Sequence, residues 1–267
     1  MKVLCEKKGH IALVTINRPE VRNCFDPETT VRLAEAWRGI KADDGIRVAV
    51  VTGAGEKAFC SGADLGRMLP LMSGDRTPED EWDRMVAGDD SYFETALLRS
   101  FDIGKPVIAA INGIAVAGGM EMAQGTDIRI ASETAVFGMP EVRWAIFPKG
   151  GSTVRLPRQV SQSTAMEMLL TGDMIDARRA LEIGFVSHVV PQAEVLDKSM
   201  QIAERIARNG PLAARAIRQS VRECFGRPEN EALRMEQAFA RPVFESEDIR
   251  EGPRAFMEKR EPRYNGR

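Results

Sequence analysis

The stretch Lys105–Gly151, KPVIAAINGIAVAGGMEMAQGTDIRIASETAVFGMPEVRWAIFPKGG, decides how the chain is read. Pro106 to Ile111 is a short apolar run of the kind a strand buried on both faces requires, and Asn112-Gly113 ends it in a turn. Gly118 and Gly119 then open a run of helix formers, and Asp127 to Ile130 and Ala135 to Phe137 read as further short strands. Inside this apolar sequence stand Glu121 and Glu141, with hardly a basic residue beside them. An ionised carboxylate is expensive to bury unless it is paired or hydrogen-bonded, so the two mark a candidate site. The glycines add a second feature. Glycine permits close backbone approach, and a helix start presents unpaired N–H groups and positive dipole charge. A plainer reading stands beside this one: a Glu in a first helical turn offsets the dipole, and Pro140-Glu141 is an ordinary way to open a helix.

Upstream, Ile11 to Ile16 (IALVTI) reads as a strand, Pro27 opens a helix running to about Asp43, and Ile46 to Thr52 (IRVAVVT) is a second buried strand. Strand, helix, strand in that order implies a layered α/β domain. Gly53-Ala54-Gly55 lacks the third glycine of a dinucleotide fingerprint and is read as a turn. Ala58 to Leu65 (AFCSGADL) is a small-residue loop in which Asp64 is placed to cap the next helix. From Gly66 to Ser100, Met68, Met72, Trp82, Met85, Tyr92 and Phe93 recur like the inner stripes of helices. Further helices are expected over Ser161–Thr171, Asp176–Glu182, Gln192–Arg208, Pro211–Cys224, Arg227–Phe244 and Asp248–Lys259. The change to nearly pure helix at about residue 190 divides the chain into 1–190 and 191–267.

Lys plus Arg is 37 and Asp plus Glu is 39, which leaves no cationic excess for nucleic acid. No run approaches the ~18 apolar residues of a membrane span, and MKVLCEKKGHIALV lacks a signal-peptide core. Cys5, Cys24, Cys60 and Cys224 have no CxxC spacing, so neither disulfides nor zinc is expected, and a reducing cytoplasm fits. His10 and His188, the only histidines, both sit in strand-like sequence, and no G-x-S-x-G elbow accompanies them; a Ser/His or Cys/His hydrolase is not expected.

Six segments, in order, resemble the crotonase, or enoyl-CoA hydratase/isomerase, superfamily. They are NRPEVRNCF (Asn17–Phe25), AFCSGADL (Ala58–Leu65), KPVIAAINGIAVAGGMEMA (Lys105–Ala123), DIRIASETAVFGMPE (Asp127–Glu141), LTGDMIDARRALEIGFVSHVV (Leu170–Val190) and EGPRAFMEKREP (Glu251–Pro262). The resemblance implies an α/β fold: a right-handed spiral of ββα units carrying the acyl-CoA site, followed by a helical C-terminal region used in trimerisation and CoA contact. It implies homotrimers, often paired into hexamers, in the cytoplasm and in fatty acid metabolism. It implies an oxyanion hole built from the N–H groups of Ala63 and Gly118, gripping a thioester carbonyl as negative charge develops there. The resemblance also assigns Glu121 and Glu141 the acid–base work of hydrating a 2-enoyl-CoA, with coupled titration that raises one pKa. Glu20, Val21, Arg22 and Ser61 fall where relatives contact the CoA adenosine part, and Asp64 and Leu65 where they line the thioester and pantetheine. Lys259 falls where a C-terminal basic residue reaches the CoA phosphates, and equally reads as a solvated helix lysine. No metal and no separate cofactor are expected, coenzyme A being part of the substrate. Other reactions of the superfamily remain open: a Δ3,Δ2 isomerase, a specialised dehydratase, or a non-catalytic acyl-CoA-binding member. After the second glutamate the chain departs from the common pattern, with Ala145 and Lys149 where glycines are usual, and Gly66–Ser100 is longer than in compact members.

Overall fold

The computed structural model describes residues 1–267. The chain opens with β1 (Val3–Lys8), β2 (Ile11–Ile16) and α1 (Pro27–Ala42). It winds on through β3 (Val48–Gly53) and β4 (Ala58–Cys60), then α2 (Met68–Ser73), α3 (Glu81–Gly88) and α4 (Ser91–Ala96). The next turn is β5 (Val107–Ile111), β6 (Ile114–Val116) and α5 (Gly118–Gln124). After it come β7 (Ile128–Ser132), β8 (Val136–Gly138), α6 (Ser152–Gln159) and α7 (Gln162–Thr171). Then β9 (Met174–Asp176), α8 (Ala177–Glu182) and β10 (His188–Val190) close the winding, and α9 (Val195–Arg208), α10 (Pro211–Cys224), α11 (Glu229–Phe244) and α12 (Asp248–Met257) complete the chain.

β1 and β2 both enter a six-stranded sheet, ordered β1-β2-β3-β5-β7-β10, and each of the four later strand pairs adds one strand to it and one to a four-stranded sheet, ordered β4-β6-β8-β9. All neighbours are parallel except β1 with β2 and β8 with β9. This is the ββα spiral that the resemblance implies.

Successive strand residues face opposite sides, so a strand apolar at every position must be covered twice. β3 is buried at all six positions. Ala12, Val14, Ala49, Val51 and Ala109 enter the core between the sheets, together with Leu33 and Trp37 of α1. Ile11, Leu13, Val48, Val50 and Ile108 face the other way, under Val195, Ile202 and Ala203 of α9. The first long helix beyond residue 190 is therefore the second cover of the large sheet. α10 is fastened by Arg218, which is 9% exposed; its Nε donates to Asp127 Oδ2 at 2.7 Å and its Nη1 to Asp102 Oδ1 at 2.6 Å. α11 buries none of its residues within this chain. No helix is long and apolar enough to cross a membrane.

Three differences from the sequence reading have local causes. β1 carries Glu6, Lys7 and Lys8 on an exposed edge and owes its place to backbone pairing with β2, so no apolar pattern announces it. His10 consequently lies in the β1–β2 turn rather than in a strand. α6 is not among the helices expected from the sequence; it contains Pro157, a helix-breaking residue, with only one turn of the helix before it.

Candidate active site

Two adjacent glycines open α5, and each meets a different neighbour. A Cβ on Gly119 would lie 2.1 Å from the Cys60 carbonyl oxygen, so only glycine lets α5 lie against the end of β4. A Cβ on Gly118 would reach only ordinary contact, 3.4 Å from Gly62 Cα. Gly62 in turn has φ +90°, and a Cβ there would be 3.0 Å from Gly118 N. Ala117, between β6 and α5, takes φ 50° and ψ −128°, a strained conformation for an L-residue, held by its N–H donating to Gly138 O at 3.0 Å. The loop after β4 and the start of α5 are thereby brought together backbone to backbone.

The same loop is stitched to the segment before α1. Phe25 N–H donates to Gly62 O at 2.8 Å, Asp64 N–H to Phe25 O at 2.8 Å, and Ser61 N–H to Arg22 O at 3.1 Å. Ala63 N–H, between these bonds, has no acceptor in the chain. Gly118 N–H, at the first position of α5, has no carbonyl one turn back within the helix. Ala63 and Gly118 line one cavity of about 210 Å³.

Glu121 and Glu141 line that same cavity. Glu121, in the first turn of α5, is 3% exposed, and its Oε1 accepts the Ser152 N–H at 3.3 Å. Burial first, and the charge of Glu141 second, push its carboxyl up to about 7, against the opposing hydrogen bonds from Ser152 and Gly150. Glu141 stands in the first turn of a 3-10 helix, Pro140–Trp144, and burial raises its carboxyl as well. Its Oε2 is buried with no hydrogen-bond partner in the chain. Unpaired buried oxygens are costly and cluster where a site has work to do. The plain helix-opening reading of the two glutamates does not explain why both face one cavity with raised pKa values.

The structure thus brings Glu121, Glu141, Ala63, Gly118, Ser61 and Leu65 around one space. Glu20, Val21 and Arg22 lie outside it, exposed, on a 3-10 turn that the Ser61–Arg22 hydrogen bond holds beside it. Asp64 also lies outside: its Oδ2 pairs with Arg18 at 3.2 Å, and its Oδ1 accepts Gly66 N–H at 3.0 Å. That second bond closes a local turn rather than capping α2: the helix starts after Arg67 and has no side-chain cap, so the capping role read for Asp64 is not what the structure shows. Lys259 is exposed past the end of α12 and does not reach the cavity. Sequence reasoning missed Gly150, which packs on the Glu121 carboxylate, and Ser152, which donates to it. Neither carries a signal of its own, because both contacts arise from folding the loop after β8 back over α5.

Comparisons with known proteins show the family to which this fold belongs. The Enoyl-CoA hydratase/isomerase family model matches residues 6–267. "Enoyl-CoA hydratase EchA19" of Mycobacterium tuberculosis is 43% identical over 267 residues, covering 99% of this chain and 96% of that protein. "(E)-benzylidenesuccinyl-CoA hydratase" of Thauera aromatica is 40% identical over 268 residues, covering 100% of both. The crystal structure of an enoyl-CoA hydratase from Bacillus anthracis superposes with a TM-score of 0.89 at 35% identity, covering 100% of each chain.

Proposed function

The chain belongs to the enoyl-CoA hydratase/isomerase family, and on that premise we propose that it is a hydro-lyase that adds water reversibly across the 2,3 double bond of a 2-enoyl-CoA thioester. The thioester carbonyl lies between the N–H groups of Ala63 and Gly118. Water attacks C3, and the electron pair of the double bond moves toward the carbonyl oxygen as an enolate. Donors already in place stabilise that charge, and a single such donor is worth about 3 kcal/mol of barrier in other enzymes. One glutamate takes the proton from water while the carboxyl of the other delivers a proton to C2. Atoms balance: the hydroxyl is on C3, the hydrogen on C2, and the pair of carboxyls ends with the same number of protons. Dehydration of a 3-hydroxyacyl-CoA is the same path reversed. The observation that carries this reading is the shared cavity, where two carboxyls of raised pKa face the Ala63 and Gly118 backbone.

The test is loss of the conjugated-thioester absorbance on incubation with crotonyl-CoA and longer enoyl-CoAs, with products weighed by mass spectrometry. Hydration adds the mass of water, whereas an isomerase leaves mass unchanged. Full activity in both Glu121→Gln and Glu141→Gln would reject the assigned roles.

The same reading takes coenzyme A as part of the substrate and needs no separate cofactor, places the adenosine end along Glu20–Arg22 and Ser61, and assigns Lys259 to the CoA phosphates. It includes a trimer or hexamer. Supporting the assembly, Ile217, Val221, Phe225, Phe244 and Phe256 on the C-terminal helices are each more than half exposed in the single chain. Sedimentation velocity tests it. Four free cysteines suit a cytoplasmic enzyme of fatty acid metabolism.

A further inference from the structure

Met72, Phe93 and Lys149 belong to two cavities at once. On one side they line the space that holds Glu121 and Glu141; on the other they line a second cavity of about 220 Å³. The second space is part apolar, with Leu71, Val86 and Ala87, and part charged. An acyl chain whose carbonyl sits at Ala63 and Gly118 and whose double bond sits at the glutamates has its remaining carbons in reach of this shared wall.

Lys149 is the only cation lining the catalytic cavity, whose other charged residues are Glu121 and Glu141. It makes no ion pair and no side-chain hydrogen bond within the chain. The second cation of the far cavity, Arg99, is already bound to Glu94. The Lys149 backbone is fixed at the catalytic pair, between Pro148 and the glycine that touches Glu121. Its charge is not spent on that pair, however. Both glutamates are raised rather than lowered, and no cation is among the leading influences on either. A free ammonium on a flexible, exposed stem, next to apolar walls and paired with neither carboxylate, is a receptor for an anion carried by the substrate.

We propose that Lys149 is a specificity-determining residue that pairs with a carboxylate on the acyl chain, so that the preferred substrate is an enoyl-CoA bearing a second acidic group beyond the double bond. Asp90 bounds the position of that group. It lines only the far cavity, has no side-chain partner, and repels a carboxylate that reaches it. The acidic group therefore ends at the shared wall, a few carbons past the glutamates. This inference rests on the hydratase reading for the orientation of the acyl chain.

The experiment compares 2-hexenedioyl-CoA with 2-hexenoyl-CoA and with 6-amino-2-hexenoyl-CoA. It reads kcat/KM for each, and it reads affinity for adipoyl-CoA and hexanoyl-CoA by calorimetry. The carboxylate-bearing substrate is expected to be favoured over the methyl-ended one by about tenfold or more. That ratio collapses toward one in Lys149→Met, survives in Lys149→Arg and shrinks as salt is raised. A wild-type ratio near one, a preference for the amino-ended chain, or an unchanged ratio in Lys149→Met overturns the proposal. If no substrate is turned over but calorimetry still shows a Lys149-dependent preference for adipoyl-CoA, the hydratase reading fails and this one stands.

Discussion

Gly150 lies so close to Glu121 that a methyl group on its α-carbon would sit 2.1 Å from Oε2 and 2.5 Å from Cδ of the carboxylate. The loop after β8 therefore forms one wall of the Glu121 carboxyl site, and only a residue without a side chain fits there. The atom met first is the free end of a side chain, so Gly150→Ala displaces the carboxylate more than it disturbs the fold. Displacing a catalytic group by about 1 Å costs on the order of a hundredfold in rate. Gly150→Ala is accordingly expected to retain a cooperative melt and to lose kcat by that order, measured with crotonyl-CoA. A variant with wild-type kcat would show that the carboxylate position is unimportant.

Holding Glu121 in this site works against stability. Its folded pKa of about 7 lies above the ordinary value of 4.5. Below the ordinary value both folded and unfolded chains carry the proton, and no difference arises. As pH rises, the unfolded chain ionises first, so stability is lost between the two values and remains lost above them. At about pH 8 the deficit is about 3 kcal/mol. Glu121→Gln keeps an oxygen for the Ser152 N–H and removes the charge. It is expected to be more stable than wild type in urea at pH 8, equal to it near pH 4, and slower by two orders of magnitude or more in turnover. Equal stability at both pH values would show that the buried carboxyl carries no such load.

The same titration shapes catalysis. Hydration needs one carboxyl as base and the other as acid, so the productive form of the pair holds a single proton. Above the Glu121 value of about 7 the pair loses that proton. Below the range of Glu141, itself raised by burial, both are neutral and no base remains. A bell-shaped kcat/KM is expected, with its alkaline limb near neutral pH. The residual activity of Glu121→Gln should lack that limb, and an alkaline limb unchanged in the variant would assign it to another group.

Much of this was legible because local rules and tertiary demands coincide. Pro27 announces the start of α1, and the helix does begin there, with Asp26 ahead of it accepting the Thr29 N–H at 2.9 Å. The continuous apolar run of β3 announces a strand covered on both faces, and both covers exist. Glu121 and Glu141 stand out because carboxylates in apolar sequence need a reason. What was not legible depends on contacts between distant segments. β1 is held by pairing, not pattern, and β6 and β9 are three-residue strands too short to show any period. Gly150 and Lys149 look like loop residues until the loop is laid over α5, and Asp64 turns to Arg18 across a separation of 46 residues that no spacing rule spans.

The paired glycines of α5 offer a control on how the donor cradle is built. Both have negative φ compatible with alanine, and alanine is the better helix former by up to about 1 kcal/mol. Propensity alone therefore predicts that either substitution is harmless or stabilising. Packing separates them. On Gly118 the new methyl meets Gly62 Cα and the Phe25 ring at 3.4 to 3.6 Å, ordinary contact, and the N–H is kept. On Gly119 it meets the Cys60 carbonyl oxygen at 2.1 Å and its carbon at 2.7 Å, and main chain cannot swing aside as a side chain can. Gly118→Ala should melt within a few degrees of wild type, whereas Gly119→Ala should lose about 3 kcal/mol or more, or fail to fold. Similar melting temperatures for the two variants would mean that α5 and β4 are not in the close contact on which the Ala63 and Gly118 donors depend.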